Sequence, residues 1–150
     1  MAEIDRRGFL ALTAGFCAAC ALGESALAAK AVTEPVDIGA LTDYKADGIS
    51  DKFARQGGFV VIRTGGRLFA ASNVCTHKGV ALNVKGEELV CPKHNSHFSI
   101  EGTVTKGPAK GTLVRYAISV NDKGHVMVDP TKEFREKNFD DKASYVAIEK

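Results

Sequence analysis

Apolar residues fall in short runs separated by turn-forming residues, which predicts many brief strands rather than a few long helices. Phe59-Val60-Val61-Ile62-Arg63 is followed by Thr64-Gly65-Gly66 and then Arg67-Leu68-Phe69-Ala70-Ala71. A Gly-Gly pair between two apolar runs predicts a hairpin, because glycine reaches the positive φ that tight turns require. Leu113–Val120 alternates well enough for a half-buried strand, and Asn121-Asp122-Lys123-Gly124 turns it into His125-Val126-Met127-Val128, a second hairpin. Shorter strands are predicted at Glu88–Val90, Phe98–Ile100 and Gly102–Val104. Turn signals recur at about the 8–12-residue spacing of a sandwich or barrel, so the fold class is all-β. Residues 131–150 carry mixed charge with Phe134, Phe139, Tyr145 and Ile148; they either pack on the domain as a C-terminal extension or stay solvated.

One apolar run is of a different kind. Phe9 to Gly23 carries no charge, follows Arg6-Arg7, and leads into Ser25-Ala26-Leu27-Ala28-Ala29-Lys30. A basic start, an apolar stretch of this length and a small-x-small exit predict an export signal over residues 1–28, with the mature chain starting at Ala29. The alternatives are a retained anchor, although the run is short of the about 20 residues of a membrane span, or an ordinary apolar helix behind two solvated arginines. Arg6-Arg7-Gly8-Phe9-Leu10 resembles a twin-arginine signal. That resemblance implies bacterial export of an already folded protein to the periplasm, which suits a cofactor installed beforehand. Cys17 and Cys20 fall inside the signal, so residues 29–150 keep only Cys75 and Cys91 and have at most one possible disulfide.

The chain has 150 residues, enough for one domain, and its 45% hydrophobic content excludes a wholly disordered polymer. Twenty basic against 18 acidic residues give a net charge of +2, without the basic footprint of a nucleic-acid binder. No dinucleotide fingerprint, phosphate loop or nucleophile–base constellation is present, so no substrate site of its own is expected.

The candidate chemistry lies in Cys75-Thr76-His77-Lys78-Gly79 and Cys91-Pro92-Lys93-His94-Asn95-Ser96-His97-Phe98. Each segment pairs one thiolate with one imidazole, as C-x-H and C-x-x-H, with 13 residues between His77 and Cys91. A Cys75–Cys91 disulfide and a zinc-binding structural module are two readings, since zinc accepts a Cys₂His₂ set. Mixed arms, with His after Cys in both, suit instead a two-iron cluster with both sulfurs on one iron and both nitrogens on the other.

These two segments resemble the paired boxes of Rieske [2Fe–2S] proteins, over roughly residues 36–129, with Gly79 and Pro92 also agreeing. The resemblance implies stacked antiparallel sheets and a small cluster-binding subdomain over about residues 72–109. It also implies one [2Fe–2S] cluster held by Cys75, His77, Cys91 and His94. Gly107-Pro108-Ala109 is similar to the proline loop that covers the cluster. Ser96 matches a serine that bonds a bridging sulfide. Val80 and Lys93 stand where quinol-oxidising members carry a disulfide, and Phe98 stands where they carry a tyrosine that bonds a cysteine sulfur. With one of three such aids present, an intermediate potential is expected. His97 and His125 are expected in surface or packing roles.

The implied function is periplasmic one-electron transfer, by a free carrier or by the small subunit of a larger oxidoreductase. The partner is then a redox protein, with Lys78 and Lys93 flanking the exposed histidine edges and favouring an acidic or neutral surface. The chain meets a membrane only if the signal is retained. A subunit of a quinol-oxidising cytochrome bc-type complex is the alternative.

Overall fold

The structure, a computed structural model, describes residues 32–149, so the predicted signal at 1–28 lies outside the described residues. In chain order its strands are β1 (Val36–Ala40), β2 (Gly48–Ser50), β3 (Phe59–Thr64), β4 (Arg67–Ser72), β5 (Asn83–Lys85), β6 (Glu88–Val90), β7 (His97–Phe98), β8 (Val104–Lys106), β9 (Arg115–Val120), β10 (His125–Phe134) and β11 (Val146–Ala147). A single helical turn, α1 (Ala54–Gly57), and two 3₁₀ turns complete the described elements. The fold is all-β, and every pairing is antiparallel. The larger sheet runs β1-β10-β9-β4-β3-β2, with β11 also on β4, and the smaller runs β5-β6-β7-β8.

The predicted β3–β4 hairpin forms in register from Phe59↔Ser72 to Thr64↔Arg67, with Gly65 and Gly66 both at positive φ. Its apolar runs do not alternate because both faces are buried. Phe59, Val61, Leu68 and Ala70 join Ile38, Ile118, Val126 and Val128 in one core. Val60, Ile62, Phe69 and Ala71 join Leu82, Leu89, Phe98 and Leu113 in a second, which also contains Cys75 and Cys91. The hairpin is thus the floor on which the cysteine loops rest.

Four predicted strands differ in extent. The strand at Phe98 stops there, because Ser99 to Gly102 closes as a tight turn (Gly102 N–H to Ser99 O, 2.9 Å) with Gly102 at positive φ. The next strand starts only at Val104. Leu113 and Val114 precede β9: the Leu113 N–H goes to Gly102 O, and Val114 O accepts from the Ser72 N–H. β10 runs past Val128 to Phe134 across a register shift between Asp129 and Glu133. Pro130 in that gap has no N–H for the ladder.

The described part of the C-terminal segment packs on the domain at a few positions, while most of its residues stay exposed. Val146 and Ala147 pair with Leu68 and Arg67. Tyr145 packs on one core and Ile148 on the other. Ser144 is fully buried, with its hydroxyl donating to Phe139 O (2.7 Å) and Asp141 O (2.8 Å).

Candidate metal centre

Cys75 follows β4 and Cys91 follows β6, and each opens a loop of the same construction. In the first, the Cys75 N–H donates to Val80 O (2.8 Å) and the Gly79 N–H to Cys75 O (2.9 Å). In the second, the Cys91 N–H donates to Ser96 O (2.8 Å) and the Asn95 N–H to Cys91 O (3.0 Å). The fifth residue of each loop is left-handed: Gly79 has φ 68° and Asn95 φ 54°. Glycine enters that region freely, and asparagine is among the few other residues that do so at modest cost. His77 is the third residue of the first loop and His94 the fourth of the second.

This pairing brings the two imidazoles together edge to face, with centroids 4.7 Å apart and planes at 90°. Both rings are half-buried, yet the Nδ1 atom of each is buried with no hydrogen-bond partner. Orphaned buried nitrogens are rare, because each forfeits its hydration. Burial, the His77 ring and the ammonium groups of Lys78 and Lys93 hold His94 below the usual imidazole range, which favours the neutral form that binds metal.

Cys75 and Cys91 are buried free thiols, so the disulfide reading does not hold. Burial pushes the Cys91 thiol up, but the N–H groups of His94 and Lys93, the Cys75 side chain and the Ser96 N–H together outweigh it, and the net shift is downward. Amides aimed at a sulfur favour its thiolate, the form that ligates metals. Among the described residues no three His, Cys, Asp or Glu side chains gather around a single ion position. A tetrahedral zinc site asks for that convergence, whereas a two-iron cluster asks only two protein ligands of each iron.

A third loop closes over the second. Gly107 lies so near it that a Cβ there would sit 2.6 Å from Ser96 Cα and 2.9 Å from Asn95 O. The Ala109 N–H donates to Ser96 Oγ (3.2 Å), and Ala109 is buried in the core while Pro108 stays exposed. Thr76 Oγ1 donates to Gly111 O (2.8 Å), tying the first loop to the same segment. Ser96 is fully buried. Among the described residues its hydroxyl accepts the Ala109 N–H and has no protein acceptor for its own hydrogen. Phe98 is fully buried, Val80 is half-buried against the core and Lys93 is exposed.

His97 and His125, expected in bland roles, each have a carboxylate partner. His97 Nδ1 meets Glu88 (3.1 Å) and its Nε2 meets Asn95 Oδ1 (3.1 Å), while His125 Nδ1 meets Asp37 (2.8 Å). The part played by Asn95 was not read from the sequence, although its place as fifth residue after Cys91, matching Gly79, was a usable signal. Arg115 was also missed. Its guanidinium lies between the rings of Phe69 (3.7 Å) and Phe139 (4.1 Å), and burial pushes its pKa down to about 10.

Residues 34–117 match the family model of the Rieske [2Fe-2S] domain. The cytochrome b6-f complex iron-sulfur subunit of Chlorobaculum tepidum is 31% identical over 71 residues, 46% of this chain and 39% of that subunit. Its counterpart in Chlorobaculum thiosulfatiphilum is 29% identical over 126 residues, 76% of this chain and 70% of that subunit. The crystal structure of the cyanobacterial plasma membrane Rieske protein PetC3 from Synechocystis PCC 6803 shares 33% identity, covering 62% of this chain and 97% of that one, at a TM-score of 0.49. The match spans only 39% and 33% of the first two curated relatives, from Chlorobaculum tepidum and Cyanophora paradoxa.

The chain belongs to the Rieske [2Fe-2S] domain family. It carries a [2Fe–2S] cluster. The residues present fit that group: two free buried thiols and two unpartnered buried imidazole nitrogens stand in a pair of matched loops.

Proposed function

We propose that this protein is a periplasmic one-electron carrier, free or as the small subunit of an oxidoreductase. In this reading Cys75 and Cys91 hold one iron and His77 and His94 the other. The observation that carries it is the pair of buried, unpartnered Nδ1 atoms in loops that also present two free buried thiols. When bound, the cluster takes up and gives back one electron, at a potential that histidine ligands raise above that of all-cysteine clusters.

The chain's own groups tune and expose that site. The N–H groups of His94, Lys93 and Ser96 lower the Cys91 thiol's pKa, and the free hydroxyl hydrogen of Ser96 is available to a sulfide. Both favour added negative charge. With Nδ1 buried and each ring half-exposed, the outer ring edges of His77 and His94 form the contact through which an electron leaves. Around them, residues 76–80, 92–95 and 107–111 carry Lys78, Lys93 and Lys110, all exposed, and no carboxylate. That one-sided collar fits a redox partner with an acidic face.

Arg6-Arg7, the apolar run and Ala26-Leu27-Ala28 support export through residues 1–28, leaving the Rieske domain as residues 29–150. No helix among the described residues is long and apolar enough to cross a membrane. The relatives' names favour a second reading, a subunit of a quinol-oxidising cytochrome complex, while Val80 and Lys93 in place of the disulfide favour the first.

The test is purification from an exporting bacterial host grown with ample iron. Two irons and two acid-labile sulfides per chain, a paramagnetic resonance signal after dithionite, and a mass starting at Ala29 are expected. Colourless material that is silent after reduction overturns the assignment. A membrane-retained chain with an intact amino terminus favours the second reading.

A further inference from the structure

Among the described residues, Asn95 alone combines a side chain with a positive φ, in a loop whose twin has glycine at the same place. That choice gives the second loop something the first lacks. Asn95 Oδ1 lies 3.1 Å from His97 Nε2, and His97 Nδ1 lies 3.1 Å from Glu88 Oε2. His97 sits on β7 and Glu88 on the neighbouring β6, the strand that delivers Cys91. His97 is only part-exposed, with 23% of its side chain accessible, so its ring is held between its two partners.

The loop's outer side is thereby tied to the sheet beneath it. Its inner side is pressed by Gly107 and hydrogen-bonded through Ser96 to Ala109. Between these two restraints lie His94 and Ser96, in the loop that the Asn95 N–H closes on Cys91 O (3.0 Å) and the Cys91 N–H closes on Ser96 O (2.8 Å).

We infer that Asn95, His97 and Glu88 form a positioning clamp that fixes the second ligand loop, so that these residues help to set the cluster's midpoint potential without touching it. The inference rests on the ligand assignment proposed above. The asparagine accepts a left-handed backbone, at a modest cost that glycine does not carry, and its amide gains an anchor that glycine lacks. When the anchor is lost, the loop closed by those backbone hydrogen bonds samples wider geometries, the buried Ser96 hydroxyl is held less firmly, and the reduced state loses support.

The test compares the purified holoprotein with Asn95→Gly, His97→Phe and the double variant. Asn95→Gly suits the backbone at that position, so it removes the tether while sparing the fold. Midpoint potential is read by a redox titration monitored by paramagnetic resonance, and amide hydrogen exchange is followed over residues 92–96. A lower potential and faster exchange in each single variant are expected, with the double variant no worse than either alone, as for members of one chain of contacts. Unchanged potential and exchange in Asn95→Gly, or additive shifts in the double variant, overturn the clamp. Absence of any iron–sulfur signal from the unaltered protein overturns the ligand assignment instead, so the two failures are distinguishable.

Discussion

Ser96 shows how much one side chain decides here. It is fully buried, it receives the Ala109 N–H, and its own hydrogen has no protein acceptor among the described residues. Ser96→Ala removes both functions at once. The expected result is a lower midpoint potential in a redox titration, with a stability loss of about 1 kcal/mol in denaturant unfolding, the usual net worth of a hydrogen bond. Gly107 is a sharper case. A methyl there meets Ser96 Cα at 2.6 Å, and the backbone sits at φ 96°. Gly107→Ala should therefore lift the covering loop, destabilise the protein by about 1–3 kcal/mol, as overpacking does, and speed loss of visible iron–sulfur absorbance on dilution into chelator. Retention of normal stability would show that the loop yields without cost.

At the scale of elements, the two cysteine loops are one design used twice: a cysteine first, a left-handed residue fifth, and a carbonyl on the sixth that accepts the cysteine N–H. The design was half legible. Cys75, His77, Cys91 and His94 stand out by type and spacing, and Gly79 by its freedom, but Asn95 does not, because asparagine is common in solvated loops. The hairpin at Gly65-Gly66 was legible for the same reason as Gly79. The strand ends at Phe98 and Val104 were not, since the turn between them is fixed by hydrogen bonds that periodicity does not encode. Elsewhere β1 is tied to β10 by Asp37, whose carboxyl is held below its ordinary 3.8 first by the Gly39 N–H and then by His125. Because the folded value is the lower one, the unfolded chain takes up the proton first as pH falls. This contribution is thus complete at neutral pH and is lost as pH drops below 3.8 through the folded value. Asp37→Asn should leave a shallower loss of stability across that acid range, measured as unfolding free energy against pH. An unchanged slope would remove Asp37 from the account.

For the whole molecule, charge and packing each make a prediction. The collar of Lys78, Lys93 and Lys110 faces away from the cores, and the double change Lys78→Glu with Lys93→Glu should slow electron exchange with an acidic plant-type ferredoxin at least about tenfold at low salt. Stopped-flow rates at rising ionic strength should converge for the two proteins, because salt screens the difference. Equal rates at low salt would take the collar out of docking. Packing predicts a graded response to removal of the metal. Cys75 and Cys91 belong to the core under the small sheet, so cluster-free protein should lose exchange protection in β5–β8 first, while the core of Ile38, Ile118, Val126 and Val128 keeps its own. The candidate site is more legible in the sequence than this arrangement. Ligand chemistry is local and carried by rare residue types, whereas the burial of Arg115 between Phe69 and Phe139 needs three distant segments that no short pattern links.

The β3–β4 hairpin limits how the protein can be taken apart. Alternate residues of those two strands belong to the half that contains Cys75 and Cys91, and their immediate neighbours to the other. Excising residues 73–113 would strand Val60, Ile62, Phe69 and Ala71 against water, so the smallest graft that can be moved to another scaffold must carry the hairpin with it.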